Sequence, residues 1–391
     1  MDLVLQWLLL TAAVAAGWVL GRFGRPGNRQ NKALVSEESV RERLQFLFTN
    51  YSDQAVENFV ESLAVNSETV SLHLSIGAHF RLKGETDRAI VIHQNLLARP
   101  ELPSRFSPQV TYELAFDYLT AGLLDRAETL FHEVLGDRDY GTRAAEQLID
   151  LYQQEREWAK ATQVAQTYIL NRESPQIRKQ LAYLTCEQAD EALAVDDRWR
   201  AQNLAREALS HDSRCVRATF QQGALEELQG NLRDAIVVYL RVFDQNPAFG
   251  PDAIDSVMAI VRANEGEGVG KLLKQLRKLY AAHPSARLLL AVVECTESSI
   301  GRSAAMDLLR EELEVRPSLK GLLRLVELVD IEDGLMTEEG RLVSRIGHLL
   351  IANRPVYRCV NCGFGGQQLH WLCPSCKQWE TVQPIQGIAA E

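Results

Sequence analysis

The sequence predicts an all-α protein in which an array of stacked helical hairpins connects an apolar N-terminal helix to a small C-terminal metal ribbon. Three observations support this prediction: an apolar run within the first 20 residues, an alanine-based repeat close to 34 residues, and four cysteines within residues 359–376. We expect an anchor at 1–21, a basic linker at 22–36, the helical array at 37–352 and the ribbon at 353–391.

The composition narrows the class of protein. The chain has 391 residues, of which 46% are hydrophobic and 24% charged, as in a folded protein. Its formal net charge of -10 disfavours a general polyanion-binding role, so we expect no nucleic-acid partner. Seven cysteines are too few for a disulfide scaffold in a chain of this length.

The N-terminal apolar run is typical of a transmembrane helix. Leu3 to Leu20 is interrupted only by Gln6, Thr11 and Gly17, and as a helix it would span roughly 27 Å. Basic residues follow it, which places the N-terminus outside and the rest of the chain in the cytoplasm. A cleaved signal peptide is the main alternative, but its positive charge should precede the apolar run. A buried core helix is the second alternative.

A regular repeat predicts the helical array. A small residue, an aromatic, a turn and a second small residue recur in the tetratricopeptide order, and the second small residue opens the second helix of each hairpin. These alanines are Ala55, Ala89, Ala127, Ala161, Ala201 and Ala235, with spacings of 34, 38, 34, 40 and 34. Ala305 continues the register after one degenerate repeat near Val269, and Leu322 to Ile351 forms a further helical pair. Neighbouring hairpins then stack into a superhelix.

The first helices of the hairpins are predicted to line a concave face. By register, this face includes Leu74, Ala78, Arg81, Tyr112, Phe116, Leu119, Phe220, Ala224 and Glu227. The alternative is that the apolar members of this set belong to the core between repeats.

Four cysteines predict a closed metal site. Cys359, Cys362, Cys373 and Cys376 have the spacing C-x2-C-x10-C-x2-C, in which two tight turns present four thiolates to one ion. We expect one Zn or Fe ion in a structural four-cysteine site of the rubredoxin type. Two disulfides or a redox C-x-x-C are the alternatives. His370 lies nearby, but four cysteines already fill the coordination shell.

Aromatic residues in the ribbon predict a docking surface. The short segment contains four of them, which favours packing on the array or on a partner: Tyr357, Phe364, Trp371 and Trp379.

The sequence contains no motif of a known enzyme class. The segment from Gly266 to Lys271 resembles a phosphate-binding loop, but it lacks the spacing and the Ser or Thr of such a loop. We therefore expect a protein without catalytic residues.

The combination resembles the lipopolysaccharide assembly protein B family of Gram-negative bacteria. The resemblance covers the whole chain, and its most specific parts are Gly84 to Ile90 running into Ile92-His93-Gln94, the Arg-rich stretch after the anchor, and the two cysteine motifs.

This resemblance implies a function. It implies a membrane-anchored cytoplasmic adaptor that regulates lipopolysaccharide synthesis by promoting degradation of the LpxC deacetylase by the FtsH-type membrane protease. It also implies that the ribbon packs on the repeats, and that the chain sits in the bacterial inner membrane through residues 3–20. A scaffold for lipopolysaccharide synthesis or transport proteins without a role in proteolysis is the alternative, and a homodimer stays open.

Overall fold

The computed structural model describes residues 55, 58, 62–67, 69–169, 175–264, 268–333, 338–352 and 354–385. The predicted anchor and basic linker lie outside these residues. Among the helices that are described, none combines the length and the apolar character needed to cross a bilayer. The chain divides into two compact units, 1–140 and 141–391.

The first unit contains two helical hairpins within its described residues. Helices α1 and α2 form the first and α3 and α4 the second, with a short 3₁₀ turn at Ser104–Phe106 between them. Their bounds are α1 Val70–Leu82, α2 Thr86–Leu97, α3 Ser107–Thr120 and α4 Leu124–Val134.

The second unit contains six hairpins and the ribbon within its described residues. The helices are α5 Gly141–Glu155, α6 Trp158–Val164, α7 Pro175–Ala194, α8 Arg198–His211, α9 Val216–Leu228, α10 Leu232–Leu240, α11 Val242–Gln245, α12 Gly250–Ala263, α13 Val269–Ala282, α14 Ala286–Ser299, α15 Arg302–Val315, α16 Leu319–Asp333 and α17 Glu338–Ala352. A π-helical turn at Ala165–Ile169 extends α6, and a 3₁₀ turn at Pro247–Phe249 precedes α12.

The alanine register predicted the hairpins correctly, so the fold is tetratricopeptide-like. The alanines from the second to the sixth repeat, together with Ala305, lie in the second helix of a hairpin and are fully buried. Ala55 is helical but exposed. The degenerate repeat is a complete helical pair, since Val269 opens α13 and α12 precedes it. A side chain larger than alanine would separate the two helices at these crossings.

One backbone turn closes five of the hairpins. One of the first two residues after the first helix has a positive φ, and the N–H of the residue that follows it donates to the carbonyl five residues earlier at 2.9 Å each time. This is the Schellman arrangement, which favours glycine at the positive φ. The residues at this position are Gly84, Gly122 and Gly230, with φ of 83°, 77° and 79°, and Arg156 and Asp196, with 61° and 57°. The turn recurs at the spacing of the alanines, and so it fixes the same register.

The ribbon is a three-stranded antiparallel sheet. Its strands are β1 Tyr357–Cys359, β2 Gly365–Gly366 and β3 Val382–Pro384, in the order β2-β1-β3. The central strand places Cys359 opposite Val382, and both are buried in the small core of the ribbon.

Candidate metal centre and its docking face

Two equivalent turns carry the four cysteines. In the first, the Gly363 N–H donates to the Cys359 carbonyl at 3.0 Å; in the second, the Lys377 N–H donates to the Cys373 carbonyl at 2.9 Å. The residue after each second cysteine has a positive φ, 78° at Gly363 and 56° at Lys377. The C-x-x-C spacing therefore folds into the same turn twice.

The sulfur positions fit a tetrahedral ion. All four Sγ atoms lie within 4.8 Å of one another. The Cys359–Cys376 and Cys362–Cys373 Sγ pairs are each 3.7 Å apart. Metal–sulfur bonds of about 2.3 Å would set tetrahedral sulfurs about 3.8 Å apart. All seven cysteines of the chain are free thiols in the structure. The four cysteines thus form a rubredoxin-like site whose geometry is consistent with a metal ion.

The surroundings favour thiolates at two of the four positions. Desolvation acts to raise the pKa of Cys359, but the Thr381 hydroxyl and the N–H groups of Cys362 and Asn361 outweigh it and lower the pKa to about 6. The Asn361 side chain lowers the pKa of Cys376. Desolvation raises the pKa of Cys373 to about 11. A bound cation would stabilise this third thiolate directly.

Two tryptophans join the ribbon to the array. Trp379 stacks on Tyr183 of α7 with ring centroids 5.1 Å apart, and its Nε1 donates to Gln153 Oε1 of α5 at 2.8 Å. Trp371 stacks on Phe249 at 5.3 Å and lies 6.0 Å from Phe220 of α9. The ribbon therefore packs on the first helices of successive hairpins in the second unit.

Polar contacts surround the tryptophans. Glu380 is 9% exposed, and its carboxylate accepts from Lys179 Nζ at 2.5 Å and from Asn246 Nδ2 at 3.0 Å. A carboxylate so deeply buried needs such partners, because removing its charge from water costs several kcal/mol. Attraction to Lys179 and the hydrogen bond from Asn246 offset this cost. On the other side of the ribbon, the Tyr357 hydroxyl donates to Asp252 Oδ1 at 2.8 Å.

The structure separates the predicted aromatic residues into two groups. Trp371, Trp379 and the Tyr357 hydroxyl contact the array, as expected. Phe364 packs inside the ribbon instead, against the small core beside Cys359, and its ring centroid lies 5.9 Å from that of His370 in an edge-to-face arrangement. The cluster of potential metal ligands comprises the four cysteines and does not include His370.

The residues predicted to line the concave face of the first helices also fall into two groups, buried core residues and residues with polar or ribbon contacts. Leu74 and Tyr112 are buried core residues, in agreement with the alternative interpretation. Arg81 forms ion pairs with Glu113 and Asp117, and Phe220 contacts the ribbon.

Sequence reasoning missed Lys179, Tyr183 and Gln153 as partners of the ribbon. The first lies 201 positions from Glu380 in the numbering, and no local motif marks any of the three. The predicted concave face of first helices included Phe220, which does contact the ribbon, but it did not include these three residues.

The motif around His93 forms a buried polar network in the first unit. His93 Nδ1 lies 2.5 Å from Asp117 Oδ2, and both side chains are fully buried. Arg81 donates to the other carboxylate oxygen at 2.6 Å. The imidazole packs so closely on Gly77 that a Cβ there would lie 2.3 Å from its Nε2. This motif therefore stabilises the contact between the first two hairpins.

Comparison with known proteins gives matches to the ribbon and to the full chain. A family model described as a rubredoxin metal binding domain matches residues 357–384. Lipopolysaccharide assembly protein B of Escherichia coli strain K12 is 30% identical over 391 residues, which covers 99% of each chain. The protein of the same name from Haemophilus influenzae is 29% identical and covers 97% of this chain and 98% of its own.

Among solved structures, a tetratricopeptide repeat protein from Parabacteroides merdae covers 72% of this chain and all of its own, at 13% identity and a TM-score of 0.34. A score this low adds nothing to the fold seen directly in the hairpins. The similarity to the Escherichia coli protein extends over 99% of both chains, and it includes the cysteine ribbon. The chain belongs to the lipopolysaccharide assembly protein B family.

Proposed function

We propose that the protein is a membrane-anchored cytoplasmic adaptor that regulates lipopolysaccharide synthesis by bringing the LpxC deacetylase to the FtsH protease for degradation. The observation that supports this most is the 30% identity to lipopolysaccharide assembly protein B over 99% of both chains. Tetratricopeptide-like hairpins are typical of proteins that bind other proteins, which agrees with an adaptor that has no catalytic role.

The proposed organisation follows the sequence. Residues 1–21 anchor the chain in the inner membrane, with the N-terminus in the periplasm, and 22–36 form a basic linker. The array at 37–352 and the ribbon at 353–391 lie in the cytoplasm. Tethering raises the effective concentration of the array at a membrane-bound protease.

In this proposal the ribbon holds one Zn or Fe ion through Cys359, Cys362, Cys373 and Cys376. Four thiolates leave no open coordination position, so the ion acts as a structural cross-link. It holds the two cysteine turns together, and the folded ribbon then positions Trp371 and Trp379 against the array.

The role of the docked ribbon gives a direct test. We expect a depletion strain to show a longer LpxC half-life, which wild-type protein restores. Trp379→Ala removes the stack on Tyr183 and the bond to Gln153, so we expect it to restore turnover poorly. Trp199→Ala is the matched control, because Trp199 is 77% exposed in the same unit.

The outcomes separate two functions. Unchanged LpxC turnover after depletion would contradict the adaptor proposal and favour a scaffold for lipopolysaccharide synthesis or transport proteins. Equal restoration by the two tryptophan variants would retain the adaptor but remove the docked ribbon from its mechanism. Crosslinking from membranes, read for FtsH, LpxC and a second copy of the chain, identifies the partners and any homodimer.

A further inference from the structure

A cleft of about 560 Å³ lies where the ribbon meets the second unit of the array. It is bounded by the start of α7, the loop after α8, the end of α11 and one ribbon residue, Glu380. This volume is in the range of a small-molecule site, about 300–1,000 Å³. No motif found in the sequence marks it.

The charged groups that line the cleft are unequally neutralised. Glu380 and Asp212 are the two carboxylates, and both already have donors: Lys179 and Asn246 for Glu380, and the Arg214 backbone N–H at 2.9 Å for Asp212. The cleft also contains three basic side chains, those of Arg178, Lys179 and Arg214. Three positive and two negative charges leave the cleft with a net charge of +1.

Two guanidinium groups in the cleft have no carboxylate partner among the described residues. Arg178 makes no hydrogen bond or ion pair with any residue that the structure describes. Arg214 donates through Nε and Nη2 only to the Gln245 backbone carbonyl, at 3.3 and 3.1 Å, and a carbonyl has no net charge to offer. Both side chains are exposed, so their charge is available to a ligand.

One further feature favours an anion. Pro175 begins the 20-residue helix α7 and lines the cleft, so the positive end of that helix dipole faces the same space.

We propose that this cleft binds a phosphorylated small molecule. Guanidinium groups bind phosphate oxygens in a two-pronged geometry, and two of them lining one cleft suit a phosphate monoester or a diphosphate. The volume of the cleft suits a small molecule rather than a protein segment. The phosphate belongs either to a soluble metabolite or to a lipid headgroup.

The test uses the full chain in detergent micelles, loaded with metal, and sodium pyrophosphate as the probe at constant ionic strength. Calorimetry should give one saturable site in the wild type. Arg178→Ala and Arg214→Ala should each weaken binding about tenfold, the loss expected for one charge-assisted bond. The double variant should weaken it about a hundredfold. Neither arginine forms a hydrogen bond or ion pair with a described ribbon residue, so the stack on Tyr183 should persist in both.

Arg206→Ala is the matched control, because Arg206 is an exposed arginine of α8 outside the cleft, and it should bind as the wild type does. Absence of saturable binding, or wild-type affinity in the double variant, would overturn the proposal. Competition by dihexanoyl phosphatidic acid below the concentration needed for glycerol 3-phosphate would support a lipid headgroup, and equal competition a soluble metabolite. Stronger displacement by a hexaglutamate peptide than by either would refute a small-molecule site.

Discussion

The hairpins of the second unit and the ribbon that packs on them are stabilised in different ways. Each hairpin stacks on the next along the chain, and one continuous core runs from Val216 to Leu328. The ribbon has three fully buried residues of its own, Cys359, Cys373 and Val382, and its docking contacts reach residues up to 226 positions away. The array is therefore stabilised by contacts between hairpins that are adjacent in sequence. The ribbon depends instead on the cross-link between its own cysteine turns and on a surface formed by helices of the array.

Loss of the cysteine cross-link should give the largest effect. Cys373→Ser removes one ligand of a site whose metal contributes on the order of 10 kcal/mol in small zinc domains, so the ribbon should unfold. We expect metal content to fall from about one ion per chain to near zero, while the helical circular dichroism of the array changes little.

Cys295→Ser is the control for that change, because Cys295 is buried in α14 and lies outside the metal cluster. It should retain the ion. A Cys373→Ser protein that keeps a full complement of metal would show that three cysteines suffice and that the ribbon is less dependent on its cross-link than we argue.

Removal of the docking surface should have a smaller effect. Trp379→Ala should cost about 2–4 kcal/mol of docking free energy, as for a central aromatic residue of an interface, and should leave the metal site intact. Hydrogen exchange should then show faster exchange at α5 and α7 and retained protection in the cysteine turns.

The same measurement on Trp199→Ala should match the wild type, since that side chain is 77% exposed. If Trp379→Ala also releases the metal, folding of the ribbon and its docking are a single event rather than two.

Loss of either partner of the Lys179–Glu380 ion pair should have a different effect on docking, because Glu380 is buried and Lys179 is partly exposed. Lys179→Met leaves the Glu380 carboxylate buried with only Asn246 as donor, and we expect a docking cost of about 1–3 kcal/mol. Glu380→Gln leaves Lys179, whose side chain is 39% exposed, free to reach water, so its cost should be below about 1 kcal/mol. The double variant should resemble Glu380→Gln.

Hydrogen exchange of the backbone amides around the Trp379–Tyr183 contact would give the docking free energies of the four proteins in this double-mutant cycle. Equal losses in the two single variants would mean that desolvation of Glu380 does not dominate.

The contrast between array and ribbon also explains what the sequence could predict. Ala89, Ala127 and their equivalents repeat because every hairpin repeats one crossing, so a periodic signal was readable. The cysteine turns could also be predicted, since the hydrogen bond that closes each turn joins residues only four positions apart. The Glu380–Lys179 pair and the Trp379–Gln153 bond arise only after both surfaces have folded, and they leave no periodic trace. The anchor at residues 3–20 stays a prediction.

The smallest effect concerns the turn that closes the hairpins. Gly84, Gly122 and Gly230 take its positive φ without strain, whereas Arg156 has a Cβ that costs about 1 kcal/mol or more there. Arg156→Gly should therefore stabilise the array by about 0.5 kcal/mol, because relief of strain exceeds the entropy that glycine adds to the unfolded chain. Asp196→Gly should be near neutral, since aspartate tolerates this conformation and Asp196 Oδ1 accepts from Arg198 Nε at 2.8 Å. Urea midpoints followed by circular dichroism would measure both, with Arg206→Gly inside α8 as a control that should lose about 1 kcal/mol. A destabilised Arg156→Gly would mean that the arginine side chain supports its turn through contacts that outweigh the strain.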